Sequence, residues 1–195
     1  MQSRSTLDRQ RLCRVLEVVL DALDGVLDES DYRLVGTSAA MLVGAPLHAG
    51  DIDFLMRERC AVDRFGSALS AFVCEVPPQL ISGGMQYFAR YEICGISVEA
   101  STIEVATSSD CLEVSGTGPW VYFTRVPVGM RMVPVVRMEL RLATELARDR
   151  PDRFEPLIAW MKEQATDADL LQRAMMAWGL PEERQQCVLA ALQLG

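Results

Sequence analysis

The chain has 195 residues, of which 50% are hydrophobic and 24% charged, and its formal net charge is -8 at pH 7. This length allows one sizeable core or a domain with a helical appendage, whereas the acidic balance disfavours a long nucleic-acid groove, which needs clustered Lys and Arg. No apolar run approaches the roughly 18 to 20 residues that span a bilayer, and the N-terminus lacks a signal-peptide apolar segment, so we expect a soluble, cytoplasmic protein.

The first predicted elements alternate between helix and strand. Residues 5–28 carry apolar side chains at intervals of three and four, which predicts an amphipathic helix, and Ser5 with Asp8 matches a capping box at its start. The next predicted elements are a strand at Tyr32–Val35, a helix at Ser38–Val43, a strand at Asp51–Met56 and a helix at Val62–Phe72 closed by the Pro77-Pro78 break.

The pattern then changes to short strands and back to helices. Between Gln79 and Phe123, β-branched and aromatic residues alternate with polar ones between glycine turns, which predicts several short strands. Helices are predicted at Met138–Ala147 and Phe154–Glu163, with Pro151 in a first turn. Thr166 and Asp169 match a capping box at the start of another helix, which ends at Gly179, and a last helix begins at Pro181. We therefore predict an α/β (α+β) mixed-sheet domain over residues 1–133 and a helical C-terminal region over residues 134–195.

An Asp-x-Asp pair begins the second predicted strand. Because side chains alternate along a strand, Asp51 and Asp53 project from the same face, roughly 7 Å apart along the chain. At a few ångströms and an effective dielectric of about 20, two like charges cost on the order of 4 kcal/mol, so the pair needs a cation or raised pKa values. Ligands that offer only oxygen atoms suit Mg²⁺.

A glycine turn supplies the complement to this acidic pair. Gly36 follows the first predicted strand, and a residue without a side chain permits both a positive φ and close approach of a ligand. Unpaired backbone N–H groups at the start of the next helix favour phosphate oxygens. A metal on one side and a phosphate cradle on the other indicate phosphoryl or nucleotidyl transfer.

These motifs resemble those of the DNA polymerase β-type nucleotidyltransferase superfamily, especially its minimal bacterial members. Gly36 and Thr37 fill the glycine-turn positions, thirteen residues intervene, and Asp51, Asp53 and Phe54 follow. The resemblance implies a nucleotidyltransferase sheet core with flanking helices. It also implies transfer of a nucleoside monophosphate from a triphosphate, with ATP the expected substrate and Mg²⁺ or Mn²⁺ the expected cofactor.

The resemblance also assigns roles to individual residues. Asp51 and Asp53 would bind the metals, and the turn at Gly36, Thr37 and Ser38 would hold the β and γ phosphates. A third acidic residue is expected on a later strand. Glu99 is favoured as third ligand and base toward the acceptor, and Glu104 is its rival.

The basic residues depart from the family pattern. Two lysines that are usual in such families are missing, and Lys162 is the chain's single lysine, so Arg141 and Arg148 are the candidates to contact the triphosphate. Basic residues concentrate in one stretch, interpreted as a surface near the triphosphate or as a solvated helix face. They are Arg131, Arg137, Arg141, Arg148, Arg150 and Arg153.

Two classes of function follow. The first is a metal-dependent enzyme that modifies a small molecule, a protein or an RNA end, with small molecules and proteins favoured over nucleic acid. The second is a catalytically inactive nucleotide- or partner-binding module, for example in a toxin–antitoxin pair, and a homodimer is compatible with either.

The cysteines indicate neither a zinc site nor a disulfide framework. The chain contains no C-x-x-C pair, so we interpret the thiols as reduced and largely structural, in mostly apolar contexts. They are Cys13, Cys60, Cys74, Cys94, Cys111 and Cys187.

Overall fold

A seven-stranded mixed sheet lies at the centre of the computed structural model, which describes residues 7–105 and 120–194. The strands are β1 (Tyr32–Val35), β2 (Asp51–Met56), β3 (Val73–Ile81), β4 (Gln86–Ile93), β5 (Ile96–Ser101), β6 (Phe123–Val128) and β7 (Arg131–Val136). The helices are α1 (Arg9–Leu23), α2 (Gly36–Val43), α3 (Arg59–Ala68), α4 (Met138–Ala147), α5 (Pro151–Met161), α6 (Ala168–Ala177) and α7 (Glu182–Ala191). The predicted fold class, a mixed sheet with flanking helices, is confirmed.

The order of the strands brings distant parts of the chain together. It is β3-β4-β5-β2-β1-β7-β6. Strand β2 pairs antiparallel with β1, with Val35 opposite Asp53, and parallel with β5, with Asp53 opposite Glu99. Asp53 therefore lies between the end of β1, where α2 begins, and an acidic residue of a later strand.

Helix α1 is shorter than the predicted 5–28. Asp8 is its N-cap, and its carboxylate accepts a hydrogen bond from the backbone N–H of Arg11 at 2.7 Å. Ser5, the other half of the predicted capping box, lies outside the described residues. The helix ends at Leu23, and Gly25 follows with a φ of +70°, a conformation that a helix does not adopt.

One apolar core spans the sheet and helices from both ends of the chain. Leu16 of α1, Leu34 of β1, Leu142 of α4 and Leu171 of α6 are all fully buried in it. Burial of this kind of surface is the main source of stability. Within the described ranges, no helix has both the length and the apolar character needed to cross a membrane.

Strand β3 overturns the predicted break at Pro77-Pro78, because both prolines lie inside it. The strand is at the edge of the sheet, and its register with β4 shifts twice between Cys74 and Gln79. Proline lacks a backbone donor and is tolerated at such edges and bulges. The preceding helix α3 ends at Ala68 rather than at Phe72.

The C-terminal region needs two corrections. The predicted boundary at Pro134 falls inside β7, which pairs with β1 and β6, and helical structure begins only at α4. Helix α6 is capped by Asp167, whose carboxylate accepts from the backbone N–H of Leu170 at 3.0 Å, and not by the predicted Thr166–Asp169 box. Aspartate is a better cap than threonine.

The thiols lie in different surroundings from those predicted. All of the described cysteines are free, as expected, but most are exposed and only Cys13 is half-buried. The exposed ones are Cys60, Cys74, Cys94 and Cys187. Cys111 lies outside the described residues.

Candidate functional site

The closest packing at the site joins the glycine turn to the acidic pair. Gly36 has a φ of +71°, and a Cβ built there would lie 1.9 Å from Oδ2 of Asp53 and 2.9 Å from its Cγ. The carboxylate of Asp53 thus occupies the space that any side chain at position 36 would fill. Glycine is required here for both its backbone conformation and this contact.

The two hydroxyl residues after Gly36, predicted as phosphate ligands, are both buried. Thr37 is 6% exposed and Ser38 is fully buried. The Ser38 hydroxyl donates to the carbonyl of Val35 at 3.1 Å and accepts from the backbone N–H of Asp53 at 3.4 Å. The Ser38 hydroxyl therefore joins the turn to β2.

Glu99, and not Glu104, lies beside the acidic pair. Glu99 faces Asp53 across the parallel strands β2 and β5. Glu104 instead accepts from the guanidinium of Arg59 at 2.6 and 2.9 Å and from the hydroxyl of Thr102 at 2.5 Å. Of the two acidic residues that the sequence offered, Glu99 is therefore the one near Asp53, while its role as a ligand stays a prediction.

Arg90 holds Glu99 in place and was missed by sequence reasoning. It lies opposite Glu99 on the antiparallel strand β4, and its Nε and Nη2 atoms lie 2.8 and 2.7 Å from Oε1 of Glu99. Glu75 of the edge strand is 3.9 Å from Nε of Arg90. Glu99 therefore enters the site as half of an ion pair rather than as a free carboxylate.

Asp53 and Glu99 have raised pKa values because they are close to other acidic groups and shielded from water. Burial, and then the charges of Asp51 and Glu99, raise the pKa of Asp53 to about 7, although Arg141 and Arg148 oppose the shift. Burial also raises the pKa of Glu99, against the effect of Arg90. Such shifts are typical of functional sites and of sites that take up a cation.

A cleft of about 340 Å³ opens between the sheet and the C-terminal helices at this point. Gly36, Asp53 and Glu99 line it from the sheet side, and both predicted arginines line it from the other side, Arg141 from α4 and Arg148 from the C-cap of α4. Asp51 does not line the cleft. The cleft therefore has acidic groups on one wall and guanidinium groups on the other.

The two arginines are not equivalent. Arg141 is 8% exposed and pairs with the fully buried Glu145, and Arg153 also lies 3.4 Å from Glu145. The Nε of Arg141 has no hydrogen-bond partner among the described residues. Arg148 is exposed and forms no ion pair with any described residue. Arg148 is thus the freer cation for an anionic ligand, and Arg141 supplies a fixed, partly neutralised charge.

The other arginines of the basic stretch form ion pairs and do not line this cleft, so the stretch as a whole does not border it. Arg131 pairs with Asp21 and Asp24 at 3.2 and 3.5 Å. The remaining pairs are Arg137 with Glu139, Arg150 with Asp152 and Arg153 with Glu145.

The donors fit a divalent cation in chemistry but only in part in arrangement. Asp53 and Glu99 offer carboxylate oxygens to one cleft, which suits Mg²⁺ or Mn²⁺. Across residues 7–105 and 120–194, however, no three Asp, Glu, His or Cys side chains converge closely enough to hold a metal. A three-carboxylate site would need Asp51 to turn into the cleft, whereas both contacts of Arg90 are to Oε1 of Glu99.

The solved structures that resemble this one include two nucleotidyltransferase-like proteins, whereas no protein-family model and no curated protein matches the chain. A protein provisionally assigned as a nucleotidyltransferase from Thermotoga maritima is 20% identical, with a TM-score of 0.57, over 84% of this chain and 100% of its own. An antigenic nucleotidyltransferase-like protein from Paracoccidioides brasiliensis is 15% identical, with a TM-score of 0.54, over 97% of this chain and 95% of its own. The chain has a nucleotidyltransferase-like fold.

Proposed function

We propose that this protein binds a nucleoside triphosphate, with Mg²⁺ or Mn²⁺, in the cleft at Gly36 and transfers the nucleoside monophosphate to a small-molecule or protein acceptor. The observation that carries the proposal is the contact between Gly36 and Asp53. It places a turn of free backbone donors against a buried carboxylate with a raised pKa, in a cleft that two arginines complete. The nucleotidyltransferase-like fold supports it.

The charges of the cleft suit a polyphosphate. Backbone N–H groups at the start of α2 have no side-chain cap and favour phosphate oxygens. Arg148 supplies a free guanidinium, which can bind phosphate with two parallel hydrogen bonds. Asp53 and Glu99 would hold the cation, which when bound stabilises charge on the attacking and leaving oxygens.

The proposed reaction also requires a residue that removes the proton of the acceptor. An acceptor oxygen forms a bond to the α-phosphorus, the bond to the bridging oxygen breaks, pyrophosphate leaves, and the acceptor's proton passes to a base. Glu99 is the candidate base, because it lies in the cleft beside Asp53 and burial favours its protonated form.

Calorimetry with a nonhydrolysable ATP analogue tests the binding step. We expect binding by the native protein that depends on Mg²⁺, and its loss in Asp51→Asn/Asp53→Asn. Glu104→Gln is the matched control, because this carboxylate is paired with Arg59 outside the cleft and its loss should leave binding unchanged. Equal binding by the native and the Asp-to-Asn protein would refute the site.

The ion pairs of the site favour a second candidate, a nucleotide-binding module without transferase activity. Arg90 forms an ion pair with Glu99, and Glu145 forms an ion pair with Arg141. Incubation with ATP labelled at the α-phosphate, with pyrophosphate release measured in parallel, separates the two. Label transferred to protein or small-molecule acceptors supports the enzyme, whereas metal-dependent binding without pyrophosphate release supports the module.

A further inference from the structure

The turn after α6 presents an aromatic ring to the cleft. Trp178 lines the same cleft as Asp53 and Arg148, and it is 38% exposed. Single exposed apolar side chains are common on protein surfaces and need no explanation. Trp178 differs because it lines the cleft that also contains Asp53, Glu99 and Arg148.

The backbone of this turn is fixed. Gly179 has a φ of +69°, its N–H bonds to the carbonyl of Met176 at 2.9 Å, and the N–H of Leu180 bonds to Met175 at 3.1 Å. This is the Schellman arrangement of a helix end. The amide of Gln185 also donates to the carbonyl of Leu180 at 2.7 Å. The backbone at Trp178 is therefore fixed before any ligand arrives, which lowers the entropic cost of binding.

We propose that Trp178 stacks against the nucleobase of the bound nucleotide. The inference rests on the proposed function. The backbone N–H groups at Gly36 and the guanidinium of Arg148 suit the phosphates, and Trp178 is the aromatic group that the C-terminal helices add to the cleft. Base stacking on an aromatic side chain tolerates any base, because every base has a π-face. The cleft should accordingly bind purine triphosphates more tightly than pyrimidine triphosphates, without strict base specificity.

The contribution of the base to affinity is measured by comparing the binding of the ATP analogue with that of inorganic tripolyphosphate, both with Mg²⁺. Stacking is worth about 1 to 3 kcal/mol per base, so Trp178→Ala should weaken binding of the ATP analogue by about tenfold. Tripolyphosphate has no base, and its affinity should stay unchanged. Trp178→Phe keeps a ring and should retain most of the affinity for the analogue.

Tryptophan fluorescence gives a second readout. Trp160 lines a different cavity, so Trp160→Phe is the matched control and should keep quenching by the ATP analogue, whereas Trp178→Phe should lose it. Equal weakening of the analogue and of tripolyphosphate in Trp178→Ala, or unchanged affinity for the analogue, would overturn the stacking alone. Failure of both ligands to bind the native protein would overturn the proposed function and, with it, this inference.

Discussion

Replacement of Gly36 by alanine should damage the protein through two separable effects. The left-handed conformation costs an alanine about 1 to 2 kcal/mol. The new Cβ would also lie 1.9 Å from Oδ2 of Asp53, so the carboxylate must move, and overpacking of this kind costs about 1 to 3 kcal/mol. The free energy of unfolding should fall by about 3 kcal/mol in total.

The chain offers a matched control for the backbone effect. Gly25 has a φ of +70°, nearly that of Gly36, but a Cβ built there meets nothing within 4 Å. Gly25→Ala should therefore cost only the conformational part, about 1 to 2 kcal/mol. The difference between the two variants in urea denaturation measures the collision with Asp53.

A double-mutant cycle identifies Asp53 as the colliding group. Asp53→Ala removes the two nearest atoms, so Gly36→Ala should cost about 1 to 2 kcal/mol less in that background. Asp53→Asn keeps the shape and should give no relief. If Gly36→Ala is no more harmful than Gly25→Ala, or if both backgrounds give the same cost, the packing argument for the site is refuted.

Three further predictions concern the charges of the cleft. Burial raises the pKa of Asp53 from its ordinary 3.8 to about 7 in the folded protein. Its contribution to stability is therefore full below pH 3.8 and is lost as pH rises through 7, by about 4 kcal/mol in urea denaturation, and Asp53→Asn should abolish this loss. Arg90→Gln should free Glu99 and raise Mn²⁺ affinity about fivefold, measured by electron paramagnetic resonance. Arg141→Met should cost about 3 to 5 kcal/mol of unfolding free energy, because Glu145 is fully buried, and Arg141→Met/Glu145→Leu should recover most of it.

Each of these has an outcome that contradicts it. A pH profile of stability that is the same for Asp53→Asn and the native protein would show that the buried carboxyl is not the titrating group. Unchanged or weaker Mn²⁺ binding in Arg90→Gln would mean that Arg90 does not compete with the cation. A double variant no more stable than Arg141→Met alone would remove the buried ion pair as the cause.

The sequence predicted the local parts of the site well. Glycine after an apolar strand and Asp-x-Asp in the next strand are patterns of a few residues, and the structure brings Gly36 and Asp53 into contact. Helix α4 was predicted with its bounds as observed. Such features depend on periodicity and turn chemistry, which a single sequence carries.

The parts that sequence reasoning missed depend on distant pairing. Arg90 reaches Glu99 only because β4 pairs with β5 in a particular register, and nothing local marks that register. Trp178 reaches the cleft only because α6 packs against α4. Pro77 and Pro78 led to the prediction of a break, because proline is rare in strands. The position of β3 at the edge of the sheet explains why the strand tolerates both prolines.

The free energy needed to separate Glu99 from Arg90 bears on which of the two proposed functions is correct. The pair is partly exposed, at 19% and 38% of the side chains, so water weakens it to about 1 kcal/mol or less. A divalent cation beside Asp53 would attract Glu99 with twice the charge of a guanidinium, while Arg90 has a second carboxylate, Glu75, within 3.9 Å. Exchange of Arg90 from Glu99 to Glu75 would therefore cost little, and the ion pair would not prevent the proposed metal site from forming.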